Sequence, residues 1–291
     1  MKAKRFMENA IHGWFLLMGL VTVGCVLLIS VYLIVSGIPA IREIGLIKFL
    51  FGPVWDSNGA QPQFGILPFI LTSVYGTAGA VLLGVPVGFM TAVFLAKMAP
   101  PGLKSAVSSA VSLLAGIPSV VYGLVGMLVL VPGIRKVFHI PDGSGLLAAI
   151  IVLAIMILPS IINVAETSLR AVPKEYEEAS LALGATHIET IFRVSLPAAR
   201  SGVATAIVLG VGRAIGEAMA IIMVSGNVAN MPGGLFTPVR FLTTAIASEM
   251  NYAPVGSLWK QSLFSIGLVL FLFIILINVF LNVFIKRKKE G

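Results

Sequence analysis

Long apolar runs alternate along the chain with short stretches rich in glycine, proline, asparagine or charge. A run of about 20 apolar residues is long enough to cross a hydrocarbon layer of about 30 Å as a helix. Six such runs are predicted, over residues 14–37, 64–97, 106–132, 145–165, 201–226 and 258–285. The second is long, and Pro68, Pro86 and its glycines predict a kink or tilt, because proline removes an i to i−4 hydrogen bond. Two intervening segments, FGPVWDSNGAQPQ at 51–63 and NVANMPGGLFTPVR at 227–240, read as turns or re-entrant pieces. No soluble domain of any size, short-period repeat or low-complexity segment interrupts the series.

Composition agrees with this pattern. The 291 residues are 58% hydrophobic and only 11% charged, and the mean hydropathy of +1.02 lies far outside the range of a soluble domain. The formal net charge of +8 does not point to nucleic acid, because the basic residues are scattered between apolar blocks rather than gathered on one face with aromatics. The single cysteine, Cys25, lies in an apolar run without a partner, so disulfides and thiolate metal sites are not expected. The leading MKAKR is like the start of a signal peptide. However, the apolar run behind it is too long for one, and no A-x-A cleavage site follows, so the first span reads as retained.

Orientation follows from the basic residues. Lys2, Lys4, Arg5, Lys97, Lys104, Arg170, Lys174, Arg193, Arg200 and the tail Lys286, Arg287, Lys288 and Lys289 fall on one side. Arg42, Lys48, Arg135, Lys136, Arg240 and Lys260 fall on the other. The first set is about twice the second, which places both termini in the cytoplasm and agrees with an even number of spans.

Two charges sit inside the fifth run, VLGVGRAIGEAMAIIMV, at Arg213 and Glu217. A charge at mid-membrane costs about 2.5–3.5 kcal/mol on insertion scales and usually faces a bundle interior or a watery path. Four residues apart on a helix, the two share a face and can pair. One reading is a bracing ion pair. The other is a pathway site in which the arginine fork receives a tetrahedral oxyanion and Glu217 partly neutralises it between substrates. Gly210, Gly212 and Gly216 would let neighbouring helices approach. Gly116, Pro118 and Ser119 could line a broken helix at the same path, with packing an equal explanation.

The longest cytoplasmic segment reads VPKEYEEASLALGATHIETIFRVSLPAA. Pro173 suits a first helical position, and Glu175, Glu177 and Glu178 favour the positive end of that helix. Gly184 suits a stop. Thr186 and Glu189 have capping-box spacing, so a second short helix begins near His187 and is limited by Pro197. Ile188, Ile191 and Phe192 are then expected on one face. Such a face either packs under its own bundle or fits a groove in another protein.

EEASLALGATHIETIFRVSLP resembles the EAA loop of ABC-importer permeases: Glu178, Ala179, Gly184, Leu196 and Pro197 match its spacing, with Ser180 and Val194 as departures. That resemblance implies that residues 178–197, with Ile188, Ile191 and Phe192, form a coupling helix docking on an ATP-binding subunit. The chain itself has no Gly-Lys pair and therefore no P-loop, so any ATP is bound elsewhere. GRAIGEAMA at 212–220 is similar to the fifth-helix signature of phosphate-specific permeases. FLFGPVWDS…FGILPFI at 49–70, AGIPSVVYGL at 115–124 and LTTAIASEM at 242–250 resemble the PstC-type subunit. Sulfate and molybdate permeases carry a comparable R-A-x-G-E segment, usually with an aromatic where this chain has Ala218 and Met219.

The resemblance implies an all-α membrane protein with six transmembrane helices in a type I (MetI-like) importer bundle. Residues 1–63 would hold the N-terminus, first helix and an outer loop. Residues 64–291 would form a five-helix core with its coupling loop at about 166–200. It implies a permease subunit for inorganic phosphate in a bacterial cytoplasmic membrane, with no cofactor of its own. A PstA-type second permease, a PstB-type ATPase dimer and a PstS-type extracytoplasmic binding protein would be its partners. The substrate pathway would include Arg213, Glu217 and Ser119. Alternatives are a permease for sulfate, molybdate or tungstate, or an ATP-independent secondary transporter. An intramembrane enzyme is not expected, since G-x-S-x-G and H-E-x-x-H are both absent. His12, His139 and His187 read as solvated, and Trp14, Trp55 and Trp259 as interfacial anchors.

Overall fold

The computed structural model describes residues 2–287, with side chains over 7–8 and 11–280. Several basic residues used for orientation, at 2, 4, 5 and 286–289, therefore lie outside the described side chains. Helix α1 (Lys2–Ile44) is one continuous rod of 43 residues. It touches the rest of the chain mainly through α14 (Leu258–Arg287), where Tyr32 meets Phe264 edge-on at 5.5 Å and Ser265 Oγ donates to the Gly37 carbonyl at 2.6 Å. The rest of its apolar surface, including Leu16, Leu20, Leu27 and Leu28, is exposed. An apolar surface of this kind is stable against lipid tails, which solvate it as well as a protein core would.

After α2 (Leu46–Phe51), strands β1 (Trp55–Asp56) and β2 (Gln63–Phe64) pair antiparallel with Trp55 opposite Phe64. The 51–63 segment is thus a small ribbon seated on the bundle. Helix α3 (Leu67–Val93) runs unbroken through Pro86 and ends in a π-helical turn, Phe94–Met98. Next come α4 (Pro101–Gly116), α5 (Ser119–Val125), a π turn at Gly126–Leu130 and α6 (Val131–Phe138). Helix α7 (Leu146–Arg170) is the centre of the fold: its most apolar stretch is 61% buried, whereas none of that of α1 is. It lies between α3 and α11 (Arg200–Gly216), and Leu153, Ile157, Ile161, Ala80, Ala214 and Ile221 close the core around it. The α3–α7 approach depends on Gly84, where an added Cβ would fall 2.7 Å from Ile157 Cδ1 and 3.0 Å from the Ala154 carbonyl oxygen.

The end of α7 at Arg170 leads to α8 (Lys174–Ala182), α9 (His187–Thr190), a π turn at Ile191–Ser195 and α10 (Leu196–Ala198). The chain bends by 73° at Ala199 and enters α11. Beyond α11 lie α12 (Met219–Val224) and α13 (Leu242–Glu249), then α14. Among the described residues five helices are long and apolar enough to cross a membrane, and six if the bent pair counts as one span. Two expected spans need correction. The run at 106–132 breaks at Ile117–Pro118, so the apolar crossing is Ser119–Phe138. The run at 201–226 breaks at Glu217–Ala218.

Candidate functional site

The two breaks have different causes. Pro118 lacks an N–H and drives the residue before it out of the α region, and Ile117 accordingly sits at φ −71, ψ 127. Its sequence signal is plain. Glu217 has no proline near it, yet it is extended at φ −73, ψ 133. Its side chain explains the geometry: Oε1 accepts the Ala220 N–H at 3.0 Å, capping α12 as an N-cap carboxylate does. The Glu217 carbonyl, freed from the helix ladder, accepts Thr243 Oγ1 at 2.7 Å. At the other break the Tyr122 hydroxyl donates to the Leu114 carbonyl at 2.7 Å. Irregular backbone at membrane depth survives where side chains meet its polar groups, inside protein or along a cavity.

Arg213, in the last turn of α11, is half-buried between these breaks. Its Nη1 donates to Ser160 Oγ of α7 at 3.3 Å, and its charge is within electrostatic reach of the Tyr122 hydroxyl. The expected pairing with Glu217 is not formed. Helix α11 ends at Gly216, so the i, i+4 relation is lost, and the Glu217 carboxylate is committed to α12. The three ion pairs among the described residues are Lys97–Glu177, Arg170–Glu166 and Arg240–Glu249. The Arg213 guanidinium therefore has no carboxylate on it, and most of its donor fork is available to an anion. Ser119 begins α5 one turn before Tyr122 and is half-buried. Of the three nearby glycines only Gly210 meets a neighbouring helix, at Ile161; Gly212 and Gly216 face open space. Ser160 and Tyr122 escaped sequence reading, since single hydroxyls in apolar runs carry no spacing signal.

The local grammar of the 173–197 loop appears at atomic detail. Pro173 is the N-cap of α8 rather than its first residue, and Gly184 has φ +84, a left-handed conformation open to glycine at little cost. The Thr186 N–H donates to Glu189 Oε2 at 3.0 Å and the Glu189 N–H to Thr186 Oγ1 at 3.3 Å, completing the capping box. The Thr186 N–H and the Thr186 hydroxyl, which donates to the same oxygen at 2.9 Å, hold the Glu189 carboxyl below its ordinary pKa.

The expected common face of Ile188, Ile191 and Phe192 is split. Ile191 is 3% exposed, packed with Val93, Leu169 and Val203, whereas Ile188 and Phe192 point away at 60% and 43%. The outward surface also takes in Leu183, Glu178, Ala179 and Gly184, while Pro197 is exposed and Leu196 half-buried. Glu177, read from sequence only as a helix-start charge, turns inward. It pairs with Lys97, and its Oε1 accepts Ser195 Oγ at 2.9 Å.

At the opposite end of the bundle Glu249 gathers three donors. Trp55 Nε1 reaches its two oxygens at 3.1 and 3.2 Å, Trp259 Nε1 reaches one at 2.7 Å, and Arg240 pairs with it. Arg240 is held in turn by the Asn227 carbonyl at 2.8 and 3.0 Å. Trp55 and Trp259 are therefore part of a polar brace rather than interfacial anchors, and only Trp14, 61% exposed on α1, keeps that reading. All three histidines are exposed.

A helical membrane bundle with two spans broken around an unpaired arginine, and a capped helix pair projecting from one end, is the architecture of a transport permease. The chain belongs to the family described as "Binding-protein-dependent transport system inner membrane component", which matches residues 84–290. It is 39% identical over 265 residues to "Probable ABC transporter permease protein YqgH" of Bacillus subtilis, covering 89% of this chain and 86% of that one. It is 34% identical over 283 residues to "Phosphate transport system permease protein PstC" of Haemophilus influenzae, covering 90% and 88%. Its fold is that of a chain of a bacterial alginate ABC transporter, with a TM-score of 0.64 at 16% identity over 98% of both chains. It is also that of a chain of the MetNI methionine ABC transporter, at 0.59 and 20% over 76% of this chain and 96% of that one. The protein is thus a multi-pass membrane permease component with the MetI-like fold.

Proposed function

We propose that this chain is the PstC-type permease subunit of an ATP-driven importer of inorganic phosphate. The observation that carries the reading is Arg213: a guanidinium at the junction of two broken spans, with no carboxylate paired to it, is suited to a transient tetrahedral oxyanion. The PstC relatives support phosphate as that anion. Glu217 contributes by shaping the break and capping α12 rather than by covering the guanidinium, and Ser119 borders the same junction.

In this account a second, PstA-type permease completes the pathway. Its seam is supported by an apolar concavity of about 620 Å³ along α5 and α6, bordered by Ile117, Val125, Phe138 and Val152. ATP is bound by a PstB-type dimer, and this chain carries no cofactor. A PstS-type protein delivers phosphate at the Trp55–Arg240 end, which faces outward from a bacterial cytoplasmic membrane with both termini inside. ATP binding closes the ATPases, the outward face of Glu178, Ala179, Gly184, Ile188 and Phe192 receives that motion, and the segment up to Leu196 and Pro197 carries it into α11. Ile191 anchors this segment to the bundle. The bundle opens outward, takes up the anion, and returns inward on hydrolysis.

The test is uptake of labelled phosphate into vesicles holding the co-expressed complex, with and without ATP, against unlabelled sulfate and molybdate. ATP-dependent uptake resistant to both competitors is expected. Competition by either would move the substrate to that oxyanion, and ATP-independent uptake would overturn the importer reading.

A further inference from the structure

Glu177 lies next to the EAA-like residues but faces away from any ATPase. Its carboxylate joins three separate elements: its own helix α8, Lys97 in the π turn ending α3, and Ser195 in the π turn after α9. The site is closed, with Ser195 fully buried and the Lys97 and Glu177 side chains only 11% and 21% exposed. A second polar contact, Ser180 Oγ to Thr190 Oγ1 at 2.9 Å, ties α8 to α9 beside it. Below the carboxylate, Ile191, Val172 and Leu169 pack against Ala92 and Val93 of α3.

We propose that the Lys97–Glu177–Ser195 cluster is the rigid joint through which the outward docking face drives α3, so that Glu177 is a positioning residue for coupling. The inference rests on the importer reading above. Three observations carry it. The two π turns present Lys97 and Ser195 to one carboxylate, and such turns, with their wide i to i+5 geometry, are frequent at functional sites. The pair is shielded, so losing one partner leaves an uncompensated charge and the contact behaves as made or broken rather than graded. Lastly, α3 is packed along α7 through Gly84, so displacement of the Met98 end of α3 is passed to the core helix beside Arg213.

The test measures phosphate imported per ATP hydrolysed by the reconstituted complete complex. Glu177→Gln, Ser195→Ala and Lys97→Glu are compared with wild type and with the exchanged pair Lys97→Glu/Glu177→Lys, and retention of the ATPase subunit is checked by pull-down. The expected result is a ratio reduced at least fivefold in E177Q, a smaller loss in S195A, and recovery to within twofold of wild type in the exchanged pair. A wild-type ratio in E177Q would overturn the proposal. So would an exchanged pair no better than K97E alone, or release of the ATPase subunit by E177Q, which would make Glu177 an assembly residue. Failure of the phosphate reading is separable, since the wild-type complex would then import no labelled phosphate before any variant is compared.

Discussion

Replacing Glu249 by alanine removes the acceptor on which the buried Trp55 indole, the half-buried Trp259 indole and Arg240 converge. The Arg240 and Glu249 side chains are 16% and 13% exposed, so the guanidinium would be left largely desolvated and unpaired. Removing one member of a buried pair costs about 3–5 kcal/mol, and the residual exposure here favours the lower end, about 3 kcal/mol. Each indole N–H left without an acceptor adds about 1 kcal/mol, for a total of about 5 kcal/mol. Arg240→Met/Glu249→Met removes both charges together and should recover at least about 2 kcal/mol of that loss.

The assay is equilibrium unfolding in mixed micelles, followed by tryptophan emission in a Trp14→Phe background. The chain has three tryptophans, so this change leaves both reporters inside the cluster. Glu249→Ala within about 0.5 kcal/mol of the parent, the range of an ordinary surface change, would refute the buried-brace argument. A double variant as unstable as the single would refute the charge component of it.

Further consequences are open to direct measurement. Gly84→Ala should destabilise the bundle by about 1–3 kcal/mol, read as a lowered Tm of the purified chain, because the α7 backbone and Ile157 must give way to the new methyl. Gly184→Ala meets no neighbour within 4 Å, so its cost is backbone strain alone. That cost is about 1 kcal/mol, visible as faster amide exchange across α8 and α9, and Gly184→Asn should cost less.

Burial raises the Glu177 pKa, but hydrogen bonds from Lys97 and Ser195 and the Lys97 charge outweigh it and leave the group below its ordinary value. A carboxyl depressed in the folded state stabilises above its unfolded value, about 4.3, and loses that contribution as pH falls through the folded one. Amide protection of α8 should therefore be unchanged between pH 7 and 5 and fall only below about pH 4, whereas loss by pH 5 would contradict the sign.

The spans were legible because twenty apolar residues have few alternatives to crossing a bilayer. The loop was legible because proline, glycine and a Thr-x-x-Glu box act locally, within one turn. What the sequence hid is non-local. Glu217 ends α11 without proline or a run of glycines, since the break is held by Thr243 from another helix and by its own carboxylate, and no spacing rule reports either. The same holds for Glu249, whose indole partner Trp55 is 194 positions away. Ile191 left the expected face because neighbours on a helix point about 100° apart, so Ile191 and Phe192 lie at opposite edges of the stripe, and Val93, Leu169 and Val203 pack against the Ile191 edge alone. Pro118, by contrast, broke its helix in the way its chemistry requires.

The most direct test of the central claim is ATP-driven uptake of labelled phosphate by the complete complex carrying Arg213→Gln, beside Arg213→Lys and wild type, at matched assembly. Loss of charge-assisted hydrogen bonds worth about 1.5–3 kcal/mol predicts a tenfold to hundredfold fall in uptake for R213Q. R213K, which keeps the charge without the fork, should fall in between. Wild-type uptake by R213Q would contradict the account and leave Arg213 a helix brace to Ser160.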